Sequence, residues 1–250
     1  MSFAPAISVI IPTLNEATRL AATLANVRAT LPAAEIIIAD GGSTDGTPQL
    51  AAGNSARVLP CACGRGVQLA AGATEARGEL LVFLHADTQL PADAATHLAA
   101  YFARPEVQLG TFRLAFDDGG IFLRACAWFT RFDSVFTRFG DQGIVVRREL
   151  YARLGGFPSW PLFEDVEFLR RARRVTRVWS LPAEVTTSAR RFRRHGMLRQ
   201  QLRNAILLIR FLAGASPERL AQAYRSEPPL AIPSAAATPA TSQKESSRTA

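Results

Sequence analysis

Four short polar stretches hold the side chains of this sequence that are best suited to chemistry. Each follows an apolar run or begins a predicted helix: Pro12–Glu16, Asp40–Thr47, His85–Thr88 and Glu164–Asp165. Their carboxylates can ligate a hard divalent cation or accept a proton from a hydroxyl group. An arginine-rich segment follows them along the chain, and planar guanidinium groups suit phosphate oxygens.

Taken one at a time, these stretches have simpler interpretations. Asp40 and Asp45 lie in a run of glycine, serine and threonine, and aspartate commonly caps helices and forms turns. Asp87 could be a solvated loop carboxylate. The helix dipole alone would favour Glu164 and Asp165 in a first turn. A shared site therefore depends on whether the fold brings the four stretches together.

The first 90 residues alternate between short apolar runs and segments with apolar residues at helical spacing. The pattern predicts strands at Ile7–Ile11, Glu35–Ala39, Val58–Leu59 and Leu80–Leu84, and helices at Glu16–Leu31, Val67–Ala76 and Ala92–Phe102. Such alternation predicts an α/β fold with a mainly parallel sheet and right-handed crossovers. Ligands bind at the carboxyl ends of such strands, and three of the four polar stretches fall there.

The second half of the chain is less regular. We predict strands at Val107–Phe116, Gly143–Val146 and Val175–Leu181, and helices at Ile121–Phe132, Glu164–Arg174 and Gly196–Ala213. The prediction is one domain over residues 1–225, with halves at 1–105 and 106–195 and a basic helical C-terminal region at 196–225. Residues 226–250 are rich in proline, alanine, serine and threonine, which predicts a disordered tail.

The formal net charge of +8 is unevenly distributed along the 250 residues. Residues 1–120 hold 7 arginines against 11 acidic residues, whereas residues 121–250 hold 21 arginines and one lysine against 10 acidic residues. No apolar run approaches the roughly 20 residues of a membrane-spanning helix, and the N-terminus lacks the features of a signal peptide. Three cysteines do not make a disulfide framework or a four-ligand zinc site. We therefore expect reduced thiols and a cytoplasmic location.

The ordered set of polar stretches resembles family-two glycosyltransferases of the GT-A fold. The match extends from about Ile7 to Leu212, and its motifs are Ser8–Glu16, Asp40–Thr47, His85–Asp87, Gly140–Gln142, Gly155–Pro158 and Glu164–Asp165 ahead of Arg170 and Arg171. Within the family the chain looks like the small branch called radical-SAM/selenodomain-associated transferases. The resemblance implies a Rossmann-like sheet and a nucleoside-diphosphate sugar as the donor.

The resemblance places the donor site mainly in the first half of the chain. The residues that it assigns to the nucleotide sugar are Pro12, Thr13, Asn15, Glu16, Asp40, Arg65, His85, Asp87, Arg190 and Arg191. Asp87 stands at the second acid of the family's D-x-D motif, the usual ligand of Mn²⁺ or Mg²⁺, and His85 replaces the first acid. Gly41 replaces another acid of the family, and Ala70 replaces a common asparagine. Both uracil and guanine therefore stay open as the base.

The resemblance also implies an inverting reaction, which needs a base for the proton of the acceptor hydroxyl. We assign this role to Asp165, with Glu164 orienting it. Asp141, Gln142 and Trp160 are expected on the acceptor side. Trp160 belongs to an aromatic cluster with Phe157 and Phe163, which serves either core packing or acceptor binding. The acceptor itself stays open between a lipid-linked and a small molecule.

The segment between Arg170 and Arg203 holds 11 arginines and one acidic residue. A solvated helix face, a clamp on the donor diphosphate and docking on anionic lipid at the inner face of the membrane all stay open. Nucleic acid is not expected as a partner, because no DNA- or RNA-binding motif accompanies the arginines.

Two other functions were weighed against the transferase. A catalytically impaired nucleotide-sugar-binding module is consistent with the departures at Gly41, Ala70 and His85. A sugar-nucleotide pyrophosphorylase is disfavoured, because Pro12–Glu16 holds no glycine and no basic residue precedes Arg19.

Overall fold

A computed structural model describes residues 6–117, 120–190 and 196–225. The strands are β1 (Ile7–Thr13), β2 (Glu35–Asp40), β3 (Arg57–Pro60), β4 (Leu80–Phe83), β5 (Thr88–Gln89), β6 (Leu109–Phe116), β7 (Ile144–Arg147) and β8 (Val178–Thr187). They form one eight-stranded sheet in the order β3-β2-β1-β4-β7-β6-β8-β5. The tail predicted at 226–250 lies outside the described residues.

Helices cover both faces of this sheet. They are α1 (Ala17–Thr30), α2 (Thr47–Gly53), α3 (Arg65–Glu75), α4 (Ala94–Phe102), α5 (Ile121–Phe129), α6 (Arg148–Arg153), α7 (Glu164–Ala172), α8 (Met197–Leu212) and α9 (Pro217–Arg225). A 3₁₀ turn, Gly140–Gln142, precedes β7. Over the described ranges, none of these helices combines the length and the apolar character that a bilayer crossing needs.

The central strand β1 is apolar on both faces because the sheet separates two cores. Val9 and Ile11 are fully buried on the side of α1, where they pack with Leu24. Ile10 points to the opposite side and packs with Leu69 of α3. Burial of each such side chain contributes about 1.5 to 3 kcal/mol, so the continuous apolar run fixes β1 in the middle of the sheet.

The first half of the sheet is parallel, as predicted. Strands β3, β2, β1 and β4 pair in parallel, and Thr13 stands opposite Asp40 at the carboxyl ends of β1 and β2. The stretch His85–Asp87 follows β4 at the same edge. Three of the four polar stretches therefore meet at one edge of the sheet.

The sheet is mainly parallel, as predicted, and β6 and β8 also pair in parallel, but the second half adds antiparallel pairs. Strand β7 lies antiparallel between β4 and β6, and β5 lies antiparallel to β8, so the sheet is mixed. Strand β8 continues past Leu181, where the sequence predicted its end, because Pro182 falls at a shift in the β6–β8 register between Thr111 and Arg113. Such an irregularity accommodates a residue that cannot donate a ladder hydrogen bond.

Candidate active site

The loops after β1 and β2 form a hydrogen-bonded unit around Asp40. Its Oδ1 accepts hydrogen bonds from the hydroxyls of Thr13 at 2.9 Å and Ser43 at 2.5 Å. Its Oδ2 accepts from the backbone N–H groups of Gly42 at 3.0 Å and Ser43 at 2.8 Å. Burial opposes ionisation of Asp40, but these hydrogen bonds outweigh it and lower its pKa. Asp40 is therefore satisfied by its own loop before any ligand binds.

Asn15 and Asp45 connect this unit to the starts of α1 and α2. Asn15 adopts a left-handed backbone conformation (φ 55°), and its Oδ1 accepts from the N–H of Thr44 at 2.8 Å. The carboxylate of Asp45 accepts from the N–H groups of Ala17 and Thr47, each at 3.1 Å. Asp45 thus accepts from backbone donors in the first turns of both helices, which agrees with its interpretation as a helix-capping residue.

Gln68 holds the carboxyl ends of β1 and β2 together, a role that sequence reasoning missed. Its Nε2 donates to the carbonyls of Thr13 at 2.7 Å and Ala39 at 2.8 Å. An added Cβ at Gly41 would lie 3.1 Å from the Gln68 side chain, so the departure at Gly41 leaves room for this contact. No signal in the sequence distinguishes Gln68 from a surface glutamine.

Arg65, the first residue of α3, connects the first half of the chain to the start of α7. Its Nε donates to Glu164, and its Nη2 lies 3.6 Å from Asp165 Oδ1. Gly66 makes this approach feasible, because a Cβ there would overlap the backbone carbonyl of Pro158. The glycine therefore lets the start of α3 pack closely against the loop before α7.

The two acidic residues that begin α7 differ in their surroundings. Glu164 is fully buried, and burial raises its pKa although Arg65 opposes this shift. Its Oε2 has no hydrogen-bond partner among the described residues. Asp165 is oriented by backbone donors, with Gly140 N–H 2.6 Å from Oδ2 and Val166 N–H 2.8 Å from Oδ1. Asp165 is therefore the better oriented carboxylate of the pair.

Asp141 completes a cluster of three carboxylates with Asp87 and Asp165, called the carboxylate cluster below. Burial, together with the charges of Asp165 and Asp87, raises the pKa of Asp141 to about 6, although Arg65 opposes this shift. The Oδ1 of Asp141 is shielded from solvent and lacks a hydrogen-bond partner within the described ranges. The cluster therefore carries negative charge that Arg65 offsets only in part.

The carboxylate cluster lies at one end of a cleft of about 600 Å³. The titratable side chains that line this end are Arg65, His85, Asp87, Asp141 and Asp165. His85 and Asp165 both approach Gly140, where an added Cβ would lie 3.5 Å from Nε2 of His85 and 3.0 Å from Oδ2 of Asp165. The four polar stretches thus separate into the loops around Asp40 and a charged cleft around Asp165.

The other predicted site residues differ in whether they line the cleft. Gln142 is fully buried in the cleft wall, and its Nε2 donates to the carbonyl of Thr137 at 2.6 Å. Arg190 lies outside the wall, and Arg191 is not among the described residues. The predicted nucleotide residues of the first two loops also lie outside it: Pro12, Thr13, Asn15, Glu16 and Asp40.

The structure divides the predicted aromatic cluster. Phe157 is buried in the core against Phe83. Trp160 contacts Phe211 of α8, with ring centroids 6.0 Å apart, and does not line the cleft. Phe163 stacks on the same ring at 4.9 Å and does line it. Of the three rings, Phe163 is the one placed to meet a ligand.

Comparison with known families decides the class of this protein. The model of "Glycosyl transferase family 2" matches residues 8–147, more than half of the chain. The chain belongs to glycosyltransferase family 2. The match includes β1 to β7, and hence Asp40, Arg65, Asp87 and Asp141, whereas Asp165 lies beyond it.

Solved structures place this family 2 chain among GT-A glycosyltransferases. The mannosyltransferase PcManGT from Pyrobaculum calidifontis, solved with GDP-Man and Mn²⁺, is 23% identical with a TM-score of 0.60, covering 89% of this chain and 70% of its own. TarS from S. aureus (residues 1–349) is 17% identical with a TM-score of 0.63, and the match covers 82% of this chain and 64% of TarS 1–349.

A third solved structure is glucosyl-3-phosphoglycerate synthase from Mycobacterium tuberculosis, in complex with Mn²⁺, UDP and glucosyl-3-phosphoglycerate. It is 20% identical with a TM-score of 0.52, covering 74% of this chain and 70% of its own. At these identities the likeness establishes the fold. No functionally curated protein matches the sequence significantly.

The carboxylate cluster of this glycosyltransferase fits a divalent cation whose coordination is completed by ligands from outside the chain. No group of three or more His, Cys, Asp or Glu side chains in the described part of the chain is arranged to hold a metal alone. The excess negative charge and the unpartnered Asp141 Oδ1 nevertheless favour a cation there. Mn²⁺ and Mg²⁺ commonly combine one or two carboxylates with phosphate oxygens, which is consistent with Asp87 as a ligand.

Proposed function

We propose that this chain is an inverting glycosyltransferase that moves a sugar from a nucleoside-diphosphate sugar to an acceptor hydroxyl, with Asp165 as the general base. The observation that carries the proposal is the placement of Asp165, which lines the cleft while Gly140 and Val166 fix both of its oxygens. Each oxygen keeps a further lone pair for the acceptor proton. The placement of the chain in the radical-SAM/selenodomain-associated branch stays a prediction.

The proposed reaction needs no covalent intermediate with the protein. The acceptor oxygen attacks the anomeric carbon on the face opposite the diphosphate, so a new C–O bond forms as the bond to the diphosphate oxygen breaks. The acceptor proton passes to the carboxylate of Asp165. Arg65 acts as a positioning residue, because its ion pair with the buried Glu164 holds α3 against the start of α7.

The donor is proposed to lie across the edge of the sheet. The nucleoside would contact the loops that hold Pro12–Glu16 and Asp40, and the diphosphate would lie near Asp87 and His85. These two side chains would hold Mn²⁺ or Mg²⁺, which offsets the negative charge of the leaving diphosphate when bound. Contacts of Arg190 and Arg191 with the diphosphate stay a prediction.

Incubation with a panel of nucleotide sugars and Mn²⁺ tests the proposal, with release of free nucleoside diphosphate as the measurement. Uridine and guanosine donors both belong in the panel, because the solved relatives include complexes with UDP-GlcNAc and GDP-Man. Slow hydrolysis by water is expected when no acceptor is present. Binding of nucleotide sugars without any turnover would instead support the catalytically impaired module.

The variant Asp165→Asn separates catalysis from binding. Loss of a general base lowers turnover by about 10²- to 10⁴-fold, whereas binding of the nucleoside diphosphate should persist. Glu167→Gln is the matched control, because Glu167 lies on the same helix but pairs with Arg170 and does not line the cleft. Unchanged turnover in Asp165→Asn would place the base elsewhere.

A further inference from the structure

The cleft changes character away from the carboxylate cluster. Beyond its charged end, the wall is formed by uncharged side chains of β6, α5, the segment before β7, α8 and α9. Its apolar members include Leu114, Phe116, Phe129, Phe136, Leu207 and Leu208. Charged groups avoid such surroundings because they lose hydration there. This part of the cleft therefore suits an apolar group of a ligand and not a second phosphate.

Two of the segments that form this apolar part also carry large apolar side chains that are exposed on the protein surface. They lie on two neighbouring segments, called the apolar lips below: Trp128, Phe129, Phe132 and Phe136 on one, and Leu202, Ile206, Ile209 and Leu212 of α8 on the other. Phe129 and Ile209 are 55% and 58% exposed and also line the cleft. The surface patch is therefore continuous with the interior of the cleft.

A direct contact joins the two helices that carry the lips. Gln201 Nε2 of α8 lies 3.4 Å from the Sγ of Cys126 on α5. The next residue along α8, Leu202, is 64% exposed. A contiguous apolar patch of this kind on a protein surface commonly marks a membrane or protein contact.

Charge distinguishes between these two kinds of partner. At the periodicity of an α-helix, the exposed apolar stripe of α8 lies between its cleft-facing side and a side that carries the exposed Arg199 and Arg210. Arg203 lies on the same side, but its guanidinium donates to the carbonyl of Tyr224 on α9. Arg124 is likewise exposed on α5 among the aromatic residues of the other lip. Exposed aromatic and aliphatic side chains flanked by arginines are typical of surfaces that insert into an anionic bilayer.

We propose that the acceptor is a membrane lipid whose apolar chain enters the cleft between the apolar lips while its polar end reaches Asp165. The inference rests on the proposed function, since Asp165 takes the proton of the lipid-borne hydroxyl group. The lips rest in the headgroup region of an anionic membrane, and the apolar wall keeps the chain out of water as it leaves the bilayer. The product is a glycosylated lipid and a free nucleoside diphosphate.

Binding of n-alkyl β-D-glucosides tests the apolar part of the cleft without a donor. Calorimetric titration with the butyl, hexyl and octyl compounds, each below its micelle concentration, should show an affinity that rises by about fourfold per methylene. Phe129→Ser and Ile209→Ser should each weaken octyl glucoside binding by about tenfold or more. Both side chains are more than half exposed, so their removal leaves the core packed.

Val175→Ser is the matched control, because Val175 is an exposed apolar residue that does not line the cleft. Its affinity for octyl glucoside should equal that of the unchanged protein. An affinity that does not depend on chain length, or that survives both cleft substitutions, would overturn the proposal.

Flotation with vesicles tests the apolar lips as a membrane contact. The protein should float with phosphatidylglycerol–phosphatidylcholine vesicles at low salt and much less with pure phosphatidylcholine vesicles. Trp128→Ser with Leu202→Ser should abolish flotation, and Arg199→Gln should weaken flotation at low salt and reduce its dependence on salt, because one cationic contact is lost. Absence of flotation would overturn the proposal. So would a dimer in sedimentation velocity that Trp128→Ser dissociates, because a second copy would then cover the lips.

Release of nucleoside diphosphate separates a failure of this inference from a failure of the proposed function. Hydrolysis of a nucleotide sugar together with chain-independent binding would reject the lipid acceptor and retain the transferase. Chain-dependent binding without hydrolysis of any nucleotide sugar would reject the transferase, and the acceptor role of the lipid with it.

Discussion

The loops around Asp40 and the cleft around Asp165 satisfy their carboxylates in different ways. Asp40 accepts four hydrogen bonds from its own loop and its neighbour, and they lower its pKa. Beside Asp165, burial raises the pKa values of Glu164, which lies behind the cleft wall, and of Asp141, which lines the cleft, and each keeps a buried oxygen without a hydrogen-bond partner in the described part of the chain. Both regions lie at the edge of one sheet.

The difference indicates which region is complete without ligands. Fully paired polar groups make a rigid loop, whereas a buried carboxylate oxygen without a partner costs about 1 to 3 kcal/mol. The loops around Asp40 are therefore preorganised by the chain, and the carboxylate cluster would be stabilised by the cation that we propose binds there. The region whose buried carboxylates lack hydrogen-bond partners is the one where we propose that the reaction takes place.

Of the substitutions that test this comparison, the one with the largest expected effect is at Asp87, in the carboxylate cluster. Asp87→Ala removes the ligand proposed to hold the cation, so transfer should fall by about 10²- to 10³-fold or more. It also removes one of the like charges that raise the pKa of Asp141, so the fold should stay intact. Nucleoside diphosphate release with and without Mn²⁺ measures the loss, and circular dichroism checks the fold.

Asp93→Ala is the control for Asp87→Ala. Asp93 is an exposed carboxylate that pairs with His97 on α4, away from the cleft. Its substitution should leave turnover unchanged. If Asp87→Ala retained metal-dependent turnover, the cation would be held elsewhere and the proposed role of the cluster would be wrong.

A smaller effect is expected where the two regions meet, at Gly66. An added methyl group would overlap the carbonyl of Pro158 and crowd the backbone of Trp160, so Gly66→Ala should destabilise the protein by about 2 to 3 kcal/mol. Urea unfolding measures this change. Gly53→Ala is the matched control, because a Cβ at Gly53 meets open space at the end of α2 and should stabilise by up to about 1 kcal/mol.

The sequence predicted the parallel half of the fold and the clustering of its polar loops, because local periodicity and the rule for strand ends suffice there. It also predicted that Arg65, Asp87 and Asp165 share a site, through resemblance to a family. It did not predict the antiparallel β7 or the extension of β8 through Pro182, because long-range pairing decides both.

Sequence reasoning missed Gln68, and it did not distinguish Phe163 from the other two rings of its aromatic cluster. The bonds of Gln68 to two strand ends exist only once α3 packs on the sheet. Phe163 reaches the cleft wall because α8 crosses above it, where Phe211 stacks on its ring. Neither contact has a signature at short sequence separation.

The pH dependence of stability tests whether the hydrogen bonds to Asp40 stabilise its loop in the absence of a ligand. Its pKa in the folded state is lower than its ordinary value, so ionised Asp40 contributes stability that is complete above about pH 5 and is lost as the pH falls through about 4 and below. Asp40→Asn should cost about 1 to 2 kcal/mol near pH 7. The difference from the unchanged protein should shrink as the pH is lowered, because asparagine does not titrate. Urea unfolding at several pH values measures it, and a difference that grows towards acid would contradict the assignment.

The smallest effect is expected at Gly41, beside Gln68. A Cβ there would lie 3.1 Å from the Gln68 side chain and 3.3 Å from the backbone of Cys63. Gly41→Ala should therefore displace Gln68 from the carbonyls of Thr13 and Ala39, at a cost of about 1 kcal/mol, one hydrogen-bond equivalent.

A double-mutant cycle with Gln68→Ala isolates this effect. Once the glutamine is absent, the added methyl group meets less resistance, so the two substitutions together should cost less than the sum of their separate costs by about 0.5 kcal/mol or more. Strict additivity would show that Gly41 and Gln68 are independent. The preorganisation of the loops around Asp40 would then rest on Asp40 and its hydrogen bonds, and Gly41 would have no part in it.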